Sequence, residues 1–392
     1  MRLERLYLDY NATSPLSASV LDWLKSGDVL FANPASQHSS GKSSRKSINE
    51  ARAEIYKTFS QSEKDSKLFF HSGATEGILT LAYSFSEWAR KENRKLLICY
   101  SGVDHPAVLS LKDRYYGEHV SFYELSRKLD LSYHHEENLA GLRKLKQEDP
   151  DLIILYHHLW VHNEVGTVSP LEELRPFKEM SDLYLHVDGV QAPGKIPEWQ
   201  SLSVGDAWTF SAHKFGALKG IGFSFLNKNI PFSPLMTGGG QQQSMRSGTE
   251  NPQGVMSIAL ALGDLKKVNV AENIKSRMEL ENFLTQELKN VGEVIGGEQR
   301  KNANTIYFYL NNLTSDIALA LFDLEGLEIS AGSACSSGAA KPSAVLMHMG
   351  LHQVAKNGLR LSFGYEMDQQ SMDLLKTKFS AVINKIRSHL NP

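Results

Sequence analysis

Short apolar runs alternate with longer amphipathic stretches through the first two thirds of the chain. The apolar runs predict β-strands at 67–70, 95–100, 119–123, 151–156, 183–187, 207–210 and 221–226. Between them, residues 44–59, 75–92 and 171–181 carry apolar side chains at helical spacing. Strands that alternate with helices in this way are typical of an α/β fold, in which helices cover both faces of a mainly parallel sheet.

The pattern changes after about residue 252, where helices and strands are grouped rather than alternating. Helical spacing occurs at 255–268, 271–291, 317–324 and 371–390, and strands are predicted at 305–310 and 359–363. Such grouping favours a smaller α+β domain. We therefore predict a large domain at 15–252 and a small domain made of 1–14 and 253–392.

Composition and charge narrow the class of protein. The chain has 392 residues, of which 41% are hydrophobic and 22% charged, as expected of a globular protein with a sizeable core. A formal net charge of −2 provides no broad cationic surface, so nucleic acid is not an expected partner. No run approaches the roughly 18 consecutive apolar residues of a membrane span, and the first residues do not resemble a signal peptide. Two cysteines cannot form a disulfide framework, which favours the reducing cytoplasm.

Lys214 follows an apolar strand and is surrounded by small residues, a setting that suits a lysine forming a Schiff base with a flat cofactor. On this stretch alone, a solvated loop lysine is the commoner case. Asp188 favours the Schiff-base interpretation of Lys214. It ends the apolar run 183–187, and the ends of parallel strands meet at one edge of a sheet. A pyridoxal phosphate enzyme needs both groups, since the carboxylate keeps the pyridine ring protonated.

A candidate phosphate site follows the first strand of the large domain. Ser72, Gly73, Ala74 and Thr75 form a glycine turn that opens a helix, where backbone N–H groups and hydroxyls suit a phosphate. An ordinary helix cap, with a hydroxyl residue ahead of Glu76, explains the same residues. The segment alone leaves both interpretations open.

The two cysteines lie in contrasting surroundings. Cys335 is flanked by small residues throughout 330–340, so this segment buries little apolar area and is predicted to be exposed and mobile. A thiol there can act as a reactive thiolate, although an incidental surface cysteine is the alternative. Cys99 lies within the apolar run 95–100 and is predicted to be buried and inert.

Three histidines, His157, His158 and His162, raise the question of a metal site. The spacing of His158 and His162 groups two ligands only on a helix, whereas 151–156 is predicted to be a strand that runs into a loop. The chain has no H-E-x-x-H signature either. We expect no metal site.

A series of short motifs, in order and nearly end to end, resembles the cysteine desulfurases of the class V pyridoxal-phosphate-dependent aminotransferase superfamily. The motifs are YLDYNATSP at 7–15, NPASQHSSG at 33–41, SGATE at 72–76, DHPAV at 104–108, HNEVGT at 162–167, HVDGVQ at 186–191, SAHK at 211–214, GGGQQQSMRSGTEN at 238–251, GSACSS at 332–337 and RLSFG at 360–364. The GSACSS form resembles the NifS/IscS-like branch. The resemblance implies PLP-dependent transferase fold type I, with a mainly parallel seven-stranded sheet in the large domain. It also implies a smaller α+β C-terminal domain that carries the cysteine loop.

The resemblance also implies roles around the cofactor ring. Lys214 would bind pyridoxal 5'-phosphate covalently and later move protons. Asp188 would pair with the pyridinium nitrogen, and Gln191 would reach the phenolic oxygen. His105 would stack on the ring and assist acid–base steps, and Asn163 would lie close to the ring oxygen.

Further roles implied by the resemblance concern the phosphate and the substrate. The phosphate would be held by Ala74, Thr75, Ser211 and His213, with Thr249 supplied by the neighbouring subunit of a homodimer. Arg360 and Asn163 would hold the substrate carboxylate, and Asn33 would line the substrate pocket.

The implied activity is that of a cysteine desulfurase, a sulfurtransferase that removes sulfur from L-cysteine and releases L-alanine. The sulfur would remain as a persulfide on Cys335, for transfer to an acceptor protein in iron–sulfur cluster assembly or thiolation. One alternative is another class V enzyme, an aminotransferase or a cysteine/selenocysteine lyase, which needs no cysteine on a mobile loop. The other is a non-catalytic sulfur-relay protein that kept the fold, against which Lys214, Asp188 and Cys335 argue.

Overall fold

Two sheets organise the fold in the computed structural model, which describes residues 4–28, 30–114, 116–296, 299–332, 342–365 and 367–390. The strands are β1 (Leu6–Tyr7), β2 (Ser66–His71), β3 (Leu96–Tyr100), β4 (Val120–Glu124), β5 (Ile153–Leu159), β6 (Leu183–Asp188), β7 (Ala207–Ser211), β8 (Gly222–Asn227), β9 (Gly292–Ile295), β10 (Thr305–Leu310), β11 (Leu327–Glu328), β12 (Ser330–Ala331) and β13 (Gly358–Ser362).

Helices connect these strands. The α-helices are α1 (Ala18–Ser26), α2 (Ser39–Thr58), α3 (Ala74–Lys91), α4 (Pro106–Leu109), α5 (His135–Glu148), α6 (Pro252–Leu265), α7 (Val270–Glu287), α8 (Ser315–Leu324), α9 (Ala344–His348) and α10 (Gln369–Leu390). Short 3₁₀ helices occupy Ser110–Asp113, Leu171–Glu179, Ala212–Lys214, Gln242–Ser244 and His352–Val354. The helical spacing at 171–181 thus corresponds to a 3₁₀ helix. It contains Pro176, which has no backbone N–H to donate.

The larger sheet of the described residues has seven strands in the order β2-β8-β7-β6-β5-β3-β4. Neighbouring strands pair in parallel except β8, which is antiparallel to both β2 and β7. Each strand predicted in the first two thirds of the chain is present, and the predicted mainly parallel seven-stranded sheet is confirmed. The central strand β5 is buried along its whole length, which explains its continuous apolar run.

Helices cover both faces of this sheet. On one face, Ile48 of α2 and Ile258 of α6 belong to the same apolar cluster as Phe223 and Phe225 of β8. On the other face, α3 packs against β3, β5 and β7. Burial on both faces leaves the ends of the strands as the accessible part of the sheet, where ligands bind in open α/β folds.

The smaller sheet has the order β12-β13-β10-β9 and is antiparallel. Its core joins Phe308 of β10 to Phe322 of α8 and Phe379 of α10. The N-terminal segment is attached to this part of the molecule, since β1 pairs in parallel with β11. The domain limits at 15–252, 1–14 and 253–392 stay a prediction.

A helix that crosses a bilayer needs about 20 mostly apolar residues in succession. None of the described helices is both long enough and apolar enough to cross a membrane.

Candidate functional site

Lys214 and Asp188 lie at the carboxyl edge of the seven-stranded sheet. Asp188 is the last residue of β6, and Lys214 ends the 3₁₀ helix that follows directly on β7. The two strands are parallel neighbours, and Asp188 is paired in register with Thr209 of β7. The fold therefore brings this lysine and this carboxylate to one edge of the sheet, because each follows the end of a parallel strand.

The Lys214 amine is held by backbone carbonyl groups of the N-terminal segment. Its Nζ donates hydrogen bonds to the oxygens of Asn11 and Ala12, both at 2.8 Å. The side chain is half-buried. Because the carbonyl groups belong to the segment attached to the smaller sheet, this lysine lies where the two parts of the molecule meet.

Asp188 is a buried carboxyl group with 6% of its surface exposed. Its Oδ1 accepts a hydrogen bond from the backbone N–H of Val190 at 3.0 Å. Burial raises the pKa of this carboxyl to about 6, while the Val190 N–H and the Lys214 charge act in the opposite direction. A cationic ring nitrogen placed beside this group would favour its ionised form.

His105 caps the short helix α4. Its Nδ1 accepts a hydrogen bond from the N–H of Ala107 at 3.1 Å, which leaves the ring proton on Nε2. Burial, followed by the charge of Lys214, lowers the pKa of His105 to about 4. The imidazole is therefore neutral near neutral pH and is able to stack on a ring or to exchange a proton.

The turn before α3 has the shape expected of an anion site. Gly73 precedes the helix, and a Cβ added there would meet only the Oγ of Ser211, at 3.9 Å. Glu76 accepts a hydrogen bond from the N–H of Ser72 at 2.7 Å and is paired with Arg246 at 2.9 Å. Although burial opposes its ionisation, the bonds from Arg246 and Ser72 lower the pKa of Glu76 to about 2. Glu76 therefore caps the helix, while the space next to Gly73 stays open.

Arg360 of β13 is 2% exposed and is directed into the same region. Its Nη2 donates to Oδ1 of Asp9 at 2.6 Å, and its Nη1 donates to the carbonyl oxygens of Asn163 at 3.1 Å and Gly332 at 3.4 Å. Its Nε has no hydrogen-bond partner among the described residues. A buried guanidinium with a remaining donor suits a carboxylate ligand.

Asn11 connects these groups, and the sequence analysis assigned it no role. Its carbonyl oxygen accepts hydrogen bonds from Lys214 and from Nε2 of Gln191, the latter at 3.0 Å. Its own amide donates to the carbonyl oxygen of Asn163 at 3.1 Å, and that oxygen also binds Arg360. The available signal was the position of Asn11 inside the YLDYNATSP motif.

Of the remaining predicted site residues, three lie nearer the surface of the site and one lies outside the residues that the structure describes. Nδ1 of His213 lies 3.2 Å from the hydroxyl of Thr13, and burial and the Lys214 charge lower the His213 pKa to about 4. Asn33 is exposed and accepts a hydrogen bond from the N–H of Ala35. Thr249 is exposed and lines a small cleft with Ser72 of the same chain. Cys335 lies in 333–341, outside the described residues.

Cys99 is the contrasting cysteine. It lies in β3 with none of its surface exposed, and burial raises the pKa of its thiol. The prediction that it is buried is confirmed.

The three histidines considered as metal ligands contact different partners. His158 stacks on Tyr133, and His162 lies 3.1 Å from the carbonyl oxygen of Val103. His157 belongs to a hydrogen-bonded row across β5, β6, β7, β8 and β2, which we call the buried histidine chain. In order, its members are His157, His186, Thr209, Ser224 and His71, at successive distances of 2.6, 2.9, 3.0 and 3.0 Å.

A lysine, a buried carboxyl group, a neutral imidazole and an open helix start form a donor set that fits pyridoxal phosphate. Lys214 could hold the aldehyde carbon, Asp188 the ring nitrogen and the start of α3 the phosphate.

Comparisons with known proteins identify the family to which the chain belongs. The aminotransferase class-V family model matches residues 6–375. The cysteine desulfurase IscS of Dictyoglomus turgidum is 32% identical, over 98% of this chain and 95% of its own. A putative cysteine desulfurase IscS 1 of Bacillus subtilis is 32% identical, over 92% and 94%. A solved NifS-like protein has a TM-score of 0.84 at 28% identity, over 97% of this chain and 99% of its own. The chain belongs to the aminotransferase class-V family and, within it, to the cysteine desulfurase family.

Proposed function

We propose that this chain is a cysteine desulfurase that uses pyridoxal 5'-phosphate to take sulfur from L-cysteine, releases L-alanine and carries the sulfur as a persulfide on Cys335. The supporting observation is the junction at Asn11, which links Lys214 of the sheet edge to Arg360 of β13 through Asn163. An amine for the cofactor and a guanidinium for an amino-acid carboxylate are thereby parts of one hydrogen-bonded unit.

The residues divide the work as follows. Bound pyridoxal phosphate supplies the electron sink. Lys214 carries the cofactor and moves the proton from Cα of the substrate, and Asp188 holds the proton at the ring nitrogen. Arg360 and Asn163 bind the substrate carboxylate, which fixes the orientation of the cysteine side chain. His105, neutral near neutral pH, exchanges a proton at Nε2.

Cys335 performs the nucleophilic step. Its thiolate attacks the substrate sulfur, so that an S–S bond forms while the Cβ–S bond breaks and its electron pair stays with the carbon skeleton of alanine. The described residues that flank 333–341 support this role. The carbonyl oxygen of Gly332 accepts a hydrogen bond from Arg360, and Ser343 donates one to Glu164 at 3.2 Å. Both flanks of the segment thus contact residues next to the substrate position.

The partners follow from this chemistry. The persulfide is passed to an acceptor protein, in iron–sulfur cluster assembly or thiolation, in the cytoplasm. The enzyme is a homodimer in which Thr249 completes the phosphate site of the neighbouring subunit, so that activity depends on association. Sedimentation at assay concentration is expected to give a dimer, and a fully active monomer would contradict this arrangement.

The central experiment compares wild type with Cys335→Ser and Cys99→Ala. Wild type is expected to release sulfide and alanine in equal amounts from L-cysteine in the presence of a reductant. Cys335→Ser should bind pyridoxal phosphate and change colour with L-cysteine, yet release almost no sulfide, because a hydroxyl is hardly ionised near neutral pH. Cys99→Ala is the matched control and should keep its activity, since its thiol is buried.

Mass spectrometry after a brief pulse of cysteine should find the extra sulfur on the peptide that contains Cys335. If Cys335→Ser desulfurates cysteine at the wild-type rate, a lyase or aminotransferase replaces the desulfurase.

A further inference from the structure

Lys195, in the connection after β6, is a buried lysine without a carboxylate partner among the described residues. It is 1% exposed, and its pKa lies well below the usual value because of burial and then the charges of Lys214 and Arg360. Burying an amine among neutral groups and near other cations opposes folding. A role in the site would explain why such a group is kept there.

The Lys195 amine binds two side-chain amides. Its Nζ donates to Oδ1 of Asn11 at 3.0 Å and to Oε1 of Gln191. The other side of each amide is also bound. Nδ2 of Asn11 donates to the hydroxyl of Thr305 at 2.8 Å, and Nε2 of Gln191 donates to the Asn11 carbonyl oxygen at 3.0 Å.

These contacts determine which way each amide is turned. The NH₂ groups of Asn11 and Gln191 donate to other acceptors, so each amide presents its oxygen to the Lys195 nitrogen, which donates a hydrogen to each. The opposite orientation would set an NH₂ group against the lysine hydrogens. The NH₂ group of Gln191 is consequently held beside the Asn11 carbonyl oxygen, which also binds Lys214.

We propose that Lys195 is a positioning residue that locks the Gln191 amide with its NH₂ group on the Lys214 side. This inference rests on the proposed function, since the Gln191 NH₂ group then faces the position of the phenolic oxygen of the cofactor. Without Lys195 only the bond to the Asn11 carbonyl oxygen would oppose a turn of the Gln191 amide that places its oxygen on that side, where an anionic oxygen would be repelled.

The test uses Lys195→Met, which keeps much of the side-chain volume and removes both donated hydrogen bonds. Pyridoxal phosphate should still be trapped on Lys214 by borohydride, but its dissociation constant should rise about tenfold, as expected for one lost hydrogen bond to an anion. The visible absorbance band and its pH midpoint should shift in the same direction as in Gln191→Leu. The double variant should bind about as well as Gln191→Leu alone, because Lys195 acts through Gln191.

Two further variants complete the test, one as a control and one as a milder change at Lys195. Lys301→Met removes another buried lysine, far along the chain and bound to Glu281, and should leave the dissociation constant and the absorbance band unchanged. Lys195→Gln guards against loss of the fold, because its shorter side chain keeps an NH₂ donor but places it farther from the two amide oxygens, and it should weaken binding about threefold.

A wild-type dissociation constant and band in the folded Lys195 variants would overturn the proposal, as would independent effects of Lys195→Met and Gln191→Leu. A wild-type protein that binds pyridoxal phosphate on Lys214 but releases no sulfide would overturn the proposed desulfurase function instead. The Lys195 variants would still be judged by binding and absorbance.

Discussion

The surroundings of Lys195 and those of Lys301 show two ways of burying a lysine in one chain. Both side chains are almost inaccessible, with 1% and 7% of the residue surface exposed. Lys301 forms an ion pair with Glu281, which is also paired with Arg277, and donates to the carbonyl oxygen of Ile295 at 3.2 Å. The described partners of Lys195 are neutral amide oxygens.

This difference distinguishes Lys301, a lysine paired within the folded structure, from Lys195, a lysine placed to position a group that binds a ligand. Burial lowers the pKa of Lys301, but the carboxylate of Glu281 opposes that shift and partly balances the charges of Lys301 and Arg277. No such balance acts on Lys195, whose neighbours Lys214 and Arg360 lower its pKa further. A region that gathers basic groups in this way is suited to the anionic phosphate and carboxylate groups of the proposed cofactor and substrate.

The most severe test of this contrast removes the central amine of the basic region. Lys214→Ala should abolish the borohydride-reducible adduct with pyridoxal phosphate completely, because the Schiff base needs that amine. Mass spectrometry of the reduced protein measures the adduct, and Lys301→Met provides the comparison with an unchanged adduct. If a Lys214→Ala protein still carried the adduct on a lysine, the cofactor would be bound by another residue. The contrast between the basic region and the Lys301 cluster would then not hold.

A second test uses acid, because the three histidines of the buried histidine chain are also bases, and no member of that chain is a carboxylate. Burial lowers the pKa of His157 to about 3 and that of His71 to about 4, whereas an unfolded histidine titrates near 6.5. Below about pH 6.5 the unfolded chain therefore binds protons that the folded chain does not. The free energy of unfolding should fall with falling pH, by on the order of 1.4 kcal/mol per pH unit for each such histidine. Above pH 6.5 these groups add no pH dependence.

Urea unfolding between pH 7.5 and pH 4.5 measures this slope. His157→Gln should make the slope shallower by about one histidine, whereas substitution of the exposed His352 should leave it unchanged. An equal slope in both variants would show that the buried histidine chain is not the source of the acid sensitivity.

The smallest expected effect compares the two lysines directly by their contribution to stability. Lys301→Met should lower the free energy of unfolding by about 2 kcal/mol, because Glu281 keeps Arg277 but loses its second partner. Lys195→Met should change it by less than about 1 kcal/mol, since an apolar side chain avoids the desolvation of the amine. Thermal and urea unfolding of the two variants give the comparison, and equal losses would remove the distinction.

The strands of the larger sheet were predictable because each carries a short apolar run, and these runs are mostly buried in every strand except the edge strand β4. β5 illustrates this, since all of its residues are buried. The positions of Lys214 and Asp188 followed from the same pattern, because each comes directly after such a run. Local sequence is sufficient to predict a site residue where a strand is buried along its length and the functional side chain follows at its end.

Lys195 and Asn11 could not be found in this way. A lysine in a connection after a strand is usually solvated, and one of the two amide oxygens that bind Lys195 belongs to Asn11, 184 residues earlier in the chain. The strand β9 and the helix α5 were not predicted either. Nine of the 14 residues of α5 are charged or strongly polar and only Asn138 and Leu142 are buried, so its apolar spacing is weak.

The attachment of the N-terminal segment to the smaller sheet has a consequence for synthesis on the ribosome. The backbone N–H of Asn11 donates to the hydroxyl of Ser362, 351 residues later, and that of Tyr10 donates to the Ser362 carbonyl oxygen. A nascent chain that has already emerged past Lys214 therefore still lacks the strand that fixes the carbonyl support of that lysine. Vectorial folding can build most of the larger sheet early. Loading of the proposed pyridoxal phosphate cofactor is therefore expected only when translation is nearly complete.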